Sequence, residues 1–126
     1  MIAIAQRLVS SLCPGAGKAV AIDGSIKLMI DHQFSDLPAK HKHLIPDAKE
    51  VYEASPTDDC PKGTRGRMAV MEVLEMDKDI ESVILKDPTE LAIAKMARTR
   101  GMLTMKEDAI IKAMLRQVPF EEVSGL

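Results

Sequence analysis

The sequence predicts an α+β fold, mostly α, in which a small irregular β/turn knuckle precedes a compact bundle of short helices. Three observations carry this. Cysteine turns at Cys13-Pro14 and Cys60-Pro61 open segments rich in Gly and Pro. Residues 67–76 form an apolar run whose Ala, Met, Glu and Leu suit a helix, but whose glycine-rich entry tips the reading towards a strand buried on both faces. Beyond Asp77 the chain repeats one pattern: a capping residue, apolar side chains on one helical face, then a stop.

Composition bounds the function classes. A chain of 126 residues is one domain or a piece of one. Its hydrophobic share of 46% and charged share of 29% are ordinary for a soluble globular chain and argue against disorder. A net charge of −2 makes no electrostatic case for nucleic acid. Tyr52, Phe34 and Phe120 are the only aromatics, too few to stack single-stranded bases. Two cysteines do not make a disulfide scaffold. No secretory signal is visible, and no apolar run approaches the roughly 18–20 residues that span a bilayer. A cytoplasmic location is expected.

In chain order, residues 1–12 begin apolar, and their first five residues suit a buried strand or a helix start equally well. The segment reads as the cut end of something larger, with Met1 either an introduced start or an internal methionine. Residues 13–18 form a turn. Gly15-Ala16-Gly17-Lys18 is not a phosphate-binding loop, because one residue separates the glycines where four are needed and Ala19 stands at the metal-binding hydroxyl position. Ser25 is a candidate N-cap for a helix carrying Ile26, Met29, Ile30 and Phe34, which should end before Leu37-Pro38. Lys40 to Pro46 reads as a basic loop whose His41 and His43 are solvated rather than metal ligands. Residues 51–54 are a short strand candidate.

The C-terminal third carries the clearest signals. Asp77 caps a helix with Ile80, Val83 and Ile84 on one face. Asp87-Pro88-Thr89-Glu90 reads as an N-cap, a Pro at the first helical position and an acid two residues on. That helix stops at Gly101, which suits the left-handed position after a helix end. Thr104 and Glu107 form a capping box ahead of Ile110, Ile111, Met114 and Leu115, and Pro119 opens a last helical turn.

Catalytic chemistry is hard to build from these residues. Ser10 and Ser11 sit in a helical-looking segment and not on a strand-to-helix elbow. Nothing orients a histidine towards Cys13 or Cys60. Glu121 and Glu122 are adjacent, so they point in different directions. Two Cys-x-x-Cys turns would be a strong tetrahedral zinc signal. Here each turn keeps only its first cysteine, Ala16 and Gly63 standing at the second positions, so Cys13 and Cys60 read as a degenerate metal site.

Taken together, these segments resemble the C-terminal region of the type II secretion and type IV pilus assembly ATPases, the hexameric secretion motors. Gln6-Arg7-Leu8-Val9 with Leu12-Cys13-Pro14 is similar to the family's Q-R-L-V…L-C-P segment. Cys60 to Arg67 is similar to its C-x-x-C…G-Y-x-G-R turn, with Glu72 in place of the usual acid beyond it. Leu37-Pro38 and residues 51–54 are similar to its insert. Gly101, Leu103-Thr104, Glu107-Asp108 and Glu121-Glu122-Val123 are similar to its closing helices. The chain departs from the pattern at the missing cysteines, at the tyrosine around Thr64-Arg65, and at Arg116-Gln117-Val118, where the family has Gly and Thr.

The resemblance implies a division into residues 1–12, the end of an ATPase-core lead-in; 13–76, a degenerate zinc-knuckle-like subdomain; and 77–126, a helical subdomain. It implies that the nucleotide-binding motifs lie upstream of Gln6. ATP and Mg²⁺ then belong to the parent motor, this chain alone is no enzyme, it has no cofactor of its own, and zinc is not expected. The implied partners are neighbouring subunits of an ATPase ring and an inner-membrane platform protein, with no nucleic acid; the location is cytoplasmic and peripheral to the inner membrane. Arg65, Arg67 and Glu72 are the interaction candidates. The alternative is a free-standing helical interaction module without a motor.

Overall fold

Residues Ile2–Leu12 form one strand, β1, in the computed structural model, which describes residues 2–126. The reading of Met1 therefore lies outside the described residues. The helical reading of Ser10 and Ser11 is corrected. β1 pairs antiparallel with β4 (Thr64–Glu75), from Ile2 opposite Glu75 to Leu12 opposite Thr64. This pairing decides a conformation that the apolar run left open. The register shifts between Ser10 and Leu12, opposite Gly66, whose φ of 72° gives the ribbon a bulge.

Between the two long strands lies a second, smaller sheet. β2 (Lys18–Ala21) pairs antiparallel with β3 (Glu50–Glu53), Val20 facing Val51. β3 is the strand expected at 51–54; β2, four residues long and too short to show a pattern, is not among the expected strands. Helix α1 (Gly24–Gln33) starts at Asp23 and not at Ser25: the Asp23 carbonyl accepts from the Lys27 N–H at 3.2 Å, which sets the first turn earlier than a Ser25 cap allows. The basic loop winds into a 3₁₀ turn, Ala39–Leu44.

The three following helices obey their caps. Asp77 accepts from the Ile80 N–H and starts α2 (Lys78–Lys86). Asp87 does not cap the next helix, because its own N–H closes α2 on the Val83 carbonyl; Thr89 caps α3 (Glu90–Thr99) instead, accepting from Ala92. Gly101, at φ 84°, ends α3, with Gly101 donating to the Arg98 carbonyl and Met102 to the Ala97 carbonyl. Thr104 and Glu107 complete both halves of the capping box on α4 (Met105–Met114). A 3₁₀ turn, Phe120–Gly125, follows.

One core joins the ribbon, α1, α4 and the closing segment. Val9 of β1, Val70 of β4, Ile30 and Phe34 of α1, Ala109 and Ile110 of α4, and Val118 and Val123 of the closing segment pack together. Leu115 was expected on this face but is half exposed: it is the residue that terminates α4, and the buried positions are Ala109, Ile110 and Ala113. The class is α+β with several short helices, as the sequence predicts.

Candidate functional site

The two edges of the β1–β4 ribbon differ, and the difference follows from α4. On the outer edge of β4, the Asp108 carboxylate accepts from the Met71 N–H at 2.9 Å and the Lys112 ammonium donates to the Ala69 carbonyl at 2.8 Å. Lys112 and Asp108 also bridge each other at 2.8 Å. An acid and a base four residues apart on one helical face thus take the donor and acceptor that another strand would use. The Glu72 carboxylate accepts from the Met105 N–H at 3.0 Å, a favourable place for a negative charge at the start of α4.

The outer edge of β1 is open. The C-terminal segment takes its backbone only at the end, where the Ser10 N–H donates to Glu122 at 3.2 Å and the Leu12 N–H to the Gln117 carbonyl at 2.9 Å; further back it meets the Arg7 side chain, which donates to the Gly125 carbonyl at 3.1 Å. From Ile2 to Leu8 no strand pairs with that edge among the described residues. The same stretch is bare on its face. In the antiparallel register Ile2, Ile4 and Leu8 share a face with Met71 and Val73, all exposed, Ile4 at 61% and Leu8 at 59%. An exposed apolar sheet face, here interrupted by Gln6, beside a free strand edge is in isolation an aggregation hazard.

The knuckle has its own geometry. Cys13 and Cys60 are buried and joined as a disulfide with Cα atoms 6.6 Å apart, inside the usual span for such a bridge. Each begins a turn closed between its carbonyl and an N–H three residues on, Ala16 at 2.9 Å and Gly63 at 3.0 Å. The resemblance implies the turns of a zinc knuckle here, yet the residues present do not fit its four-thiolate ion. Both sulfurs are used on each other. The remaining positions are Ala16, buried beside the two cysteines, and Gly63, where an added Cβ would stand 2.6 Å from the Ser55 nitrogen. Among the described residues no group of three or more His, Cys, Asp or Glu could hold a metal.

A third feature escaped the sequence reading. Glu107, only 1% exposed, does more than cap α4. Arg98 meets it with both terminal nitrogens, at 2.6 and 2.7 Å; Gln33 donates to it at 3.0 Å and the Thr104 N–H at 2.8 Å. Arg98 also reaches Asp36 at 2.9 Å and the Met102 carbonyl at 2.8 Å. Burial works to lower the Arg98 pKa, but the bonds to Glu107 and Asp36 outweigh it and hold the guanidinium above its ordinary value. A single buried fork thus ties α1, α3 and α4 together. The signal was the capping-box glutamate on a face that had to be buried.

The interaction candidates are not brought together. Arg65 is exposed and donates to the Asp59 carbonyl at 2.6 Å. Arg67 is exposed and lies on the bare face, in register with Ser10. Glu72 lies on the opposite face and is engaged at α4, so neither arginine pairs with it. His43 hydrogen-bonds to the Lys40 carbonyl at 3.0 Å, and the His41 ring packs against Gly101. Glu121 and Glu122 do diverge: one accepts from Ala54, the other from Ser10.

A long strand pair held by its own helix at one edge and open along β1, with a disulfide-linked pair of turns inserted between the strands, defines a small α+β class of protein. The chain belongs to the type II/IV secretion system protein family, whose model matches residues 1–125. It is 23% identical over 98% of its length to the type IV pilus assembly ATPase PilB of Acinetobacter baylyi, and 25% identical over 96% to that of Pseudomonas aeruginosa. Over 65% of its length it is 31% identical to the type II secretion system protein E of Xanthomonas campestris. The chain spans 20% of the length of each of the two PilB relatives and 15% of the protein E relative. No helix among the described residues is long and apolar enough to cross a membrane.

Proposed function

We propose that this chain is the C-terminal part of a secretion or pilus-assembly ATPase, working by attachment to a nucleotide-binding core and not by chemistry of its own. One observation carries the reading: the β1–β4 ribbon, occupied at Met71 and Ala69 of β4 by Asp108 and Lys112, is open along β1 from Ile2 to Leu8 and apolar on the adjoining face. A core strand can pair with the free edge of β1, and a core layer packed on the face beside it would cover Ile2, Ile4 and Leu8. The helical subdomain, residues 77–126, then packs subunits into a ring and faces a membrane platform protein, with Arg65 and Arg67 offered to acidic groups and Glu72 kept for α4. ATP and Mg²⁺ are held by the core, in the cytoplasm at the inner membrane. The free-standing module is the weaker reading, since it leaves residues 2–8 uncovered.

The test supplies the core in trans. The nucleotide-binding part of a secretion-motor ATPase from the same genome is expressed as a separate polypeptide and mixed with the purified chain. The expected result is a complex in which the amides of residues 2–8 become protected from hydrogen exchange, with ATP hydrolysis only when both pieces are present. Hydrolysis by the isolated chain, or a complex that leaves those amides exchanging freely, would overturn the reading.

A further inference from the structure

We propose that the Cys13–Cys60 disulfide is a redox latch, and that opening it releases residues 55–63 while the rest of the fold stays in place. The two arms of the knuckle are held unequally. The Cys13 arm is gripped from outside: Arg116 donates through Nε to the Ala16 carbonyl and through a terminal nitrogen to the Gly15 carbonyl, both at 2.9 Å. Its guanidinium also lies 4.6 Å from the centre of the Tyr52 ring. To do this Arg116 adopts a left-handed backbone, φ 62°, the one non-glycine residue to do so among those described. A side chain at this φ is strained, so the grip is kept at a cost in backbone energy.

The Cys60 arm has no such support. Ala54 is anchored by Glu121 at 2.8 Å and Thr64 by the start of β4. Between them the arm relies on paired bonds between Thr57 and Cys60, on Arg65 reaching the Asp59 carbonyl, and on one bond from the Cys13 N–H to the Gly63 carbonyl at 3.2 Å. The disulfide is its covalent tie to the fold. The core around Val9, Ile30, Val70 and Ile110 contains neither cysteine, so it does not depend on the bridge.

The chemistry is thiol–disulfide exchange with a small thiol/disulfide couple of the glutathione class. On opening, an external thiolate attacks one sulfur, breaking the Cys13–Cys60 bond and forming a mixed disulfide; a second external thiolate attacks that bond, leaving two protein thiols and one small-molecule disulfide. Two electrons and two protons enter the protein, and closing reverses each step. Because both sulfurs are buried, exchange proceeds through transient opening of the Cys60 turn.

The test equilibrates the purified chain in reduced and oxidised glutathione buffers and follows tryptic cleavage after Lys62, whose side chain is exposed already and whose backbone the open arm frees to fit the protease. Reduction is expected to yield two alkylatable thiols by mass and to speed that cut at least tenfold, with circular dichroism unchanged. The Cys13→Ser/Cys60→Ser variant is expected to be cut at the fast rate in both buffers. Equal cleavage of the native chain in both buffers would overturn the proposal. So would loss of helical signal on reduction, since the bridge would then hold the whole fold. Uptake of one zinc per reduced chain with cleavage kept slow would also overturn it, the knuckle then being metal-held after all.

Discussion

At the scale of single residues, the Arg98–Glu107 fork decides most. A bidentate guanidinium–carboxylate pair is among the stronger charge-assisted contacts, but its value here lies in what its loss would leave behind. Arg98→Ala strands the nearly inaccessible Glu107 carboxylate with only Gln33 and the Thr104 N–H for company. Breaking a buried pair from one side costs about 3–5 kcal/mol. Urea unfolding of Arg98→Ala should show a midpoint lowered accordingly. The Asp36→Ala change, on the exposed side of the same arginine, should cost no more than about 1 kcal/mol. The sign of the pKa shift adds a second check. A raised arginine pKa gives stability that is complete below the ordinary value and lost only as pH rises through the higher one, so the arginine brings no pH dependence to the fork near neutrality. The glutamate was legible in the sequence as a cap; its arginine was not, because nothing in a helical pattern marks which exposed-looking base will turn inward to meet a buried acid on another helix.

At the scale of elements, local signals decided the helices and distant pairing decided the strands. Thr104 with Glu107, Asp77, and Gly101 each act within a few residues, and each behaves as its chemistry requires. Where two signals crowd together the sequence misleads: Asp87 looked like a cap until α2 was seen to end on it. β1 depends on a partner some sixty residues away, so no local pattern separates it from a helix, and β2 exists only because β3 lies beside it. The helix end at Gly101 gives the sharpest test. Its φ of 84° disfavours any other residue, and an added Cβ would lie 2.7 Å from the His41 ring. Gly101→Ala should lower stability by at least about 1–2 kcal/mol from backbone strain alone. Adding His41→Ala should recover the steric share and leave the strain, so thermal unfolding of the single and double variants separates the two causes.

At the scale of the whole molecule, the asymmetry of the ribbon makes a prediction that stability measurements alone would miss. The departures that mark this chain out, at Ala16, Gly63 and Arg116, were all visible in the sequence, as was the family pattern around them. The bare face was not, since an apolar strand reads the same whether its cover is present or absent. Ile4 and Val73 face each other across the ribbon and are exposed. Replacing both with Lys gives up this cross-strand pair and sets two like charges opposite each other, which should cost the isolated chain no more than about 2 kcal/mol. In the attached state the same two lysines would be buried against core strands without partners, which costs several kcal/mol for each charge. Ile4→Lys/Val73→Lys should therefore remain folded and yet fail to bind the nucleotide-binding core, read as loss of complex on a sizing column. If instead the variant unfolds, the face is already packed in the free chain; if it binds as well as the native chain, the core attaches elsewhere. Either result would move the attachment surface away from β1.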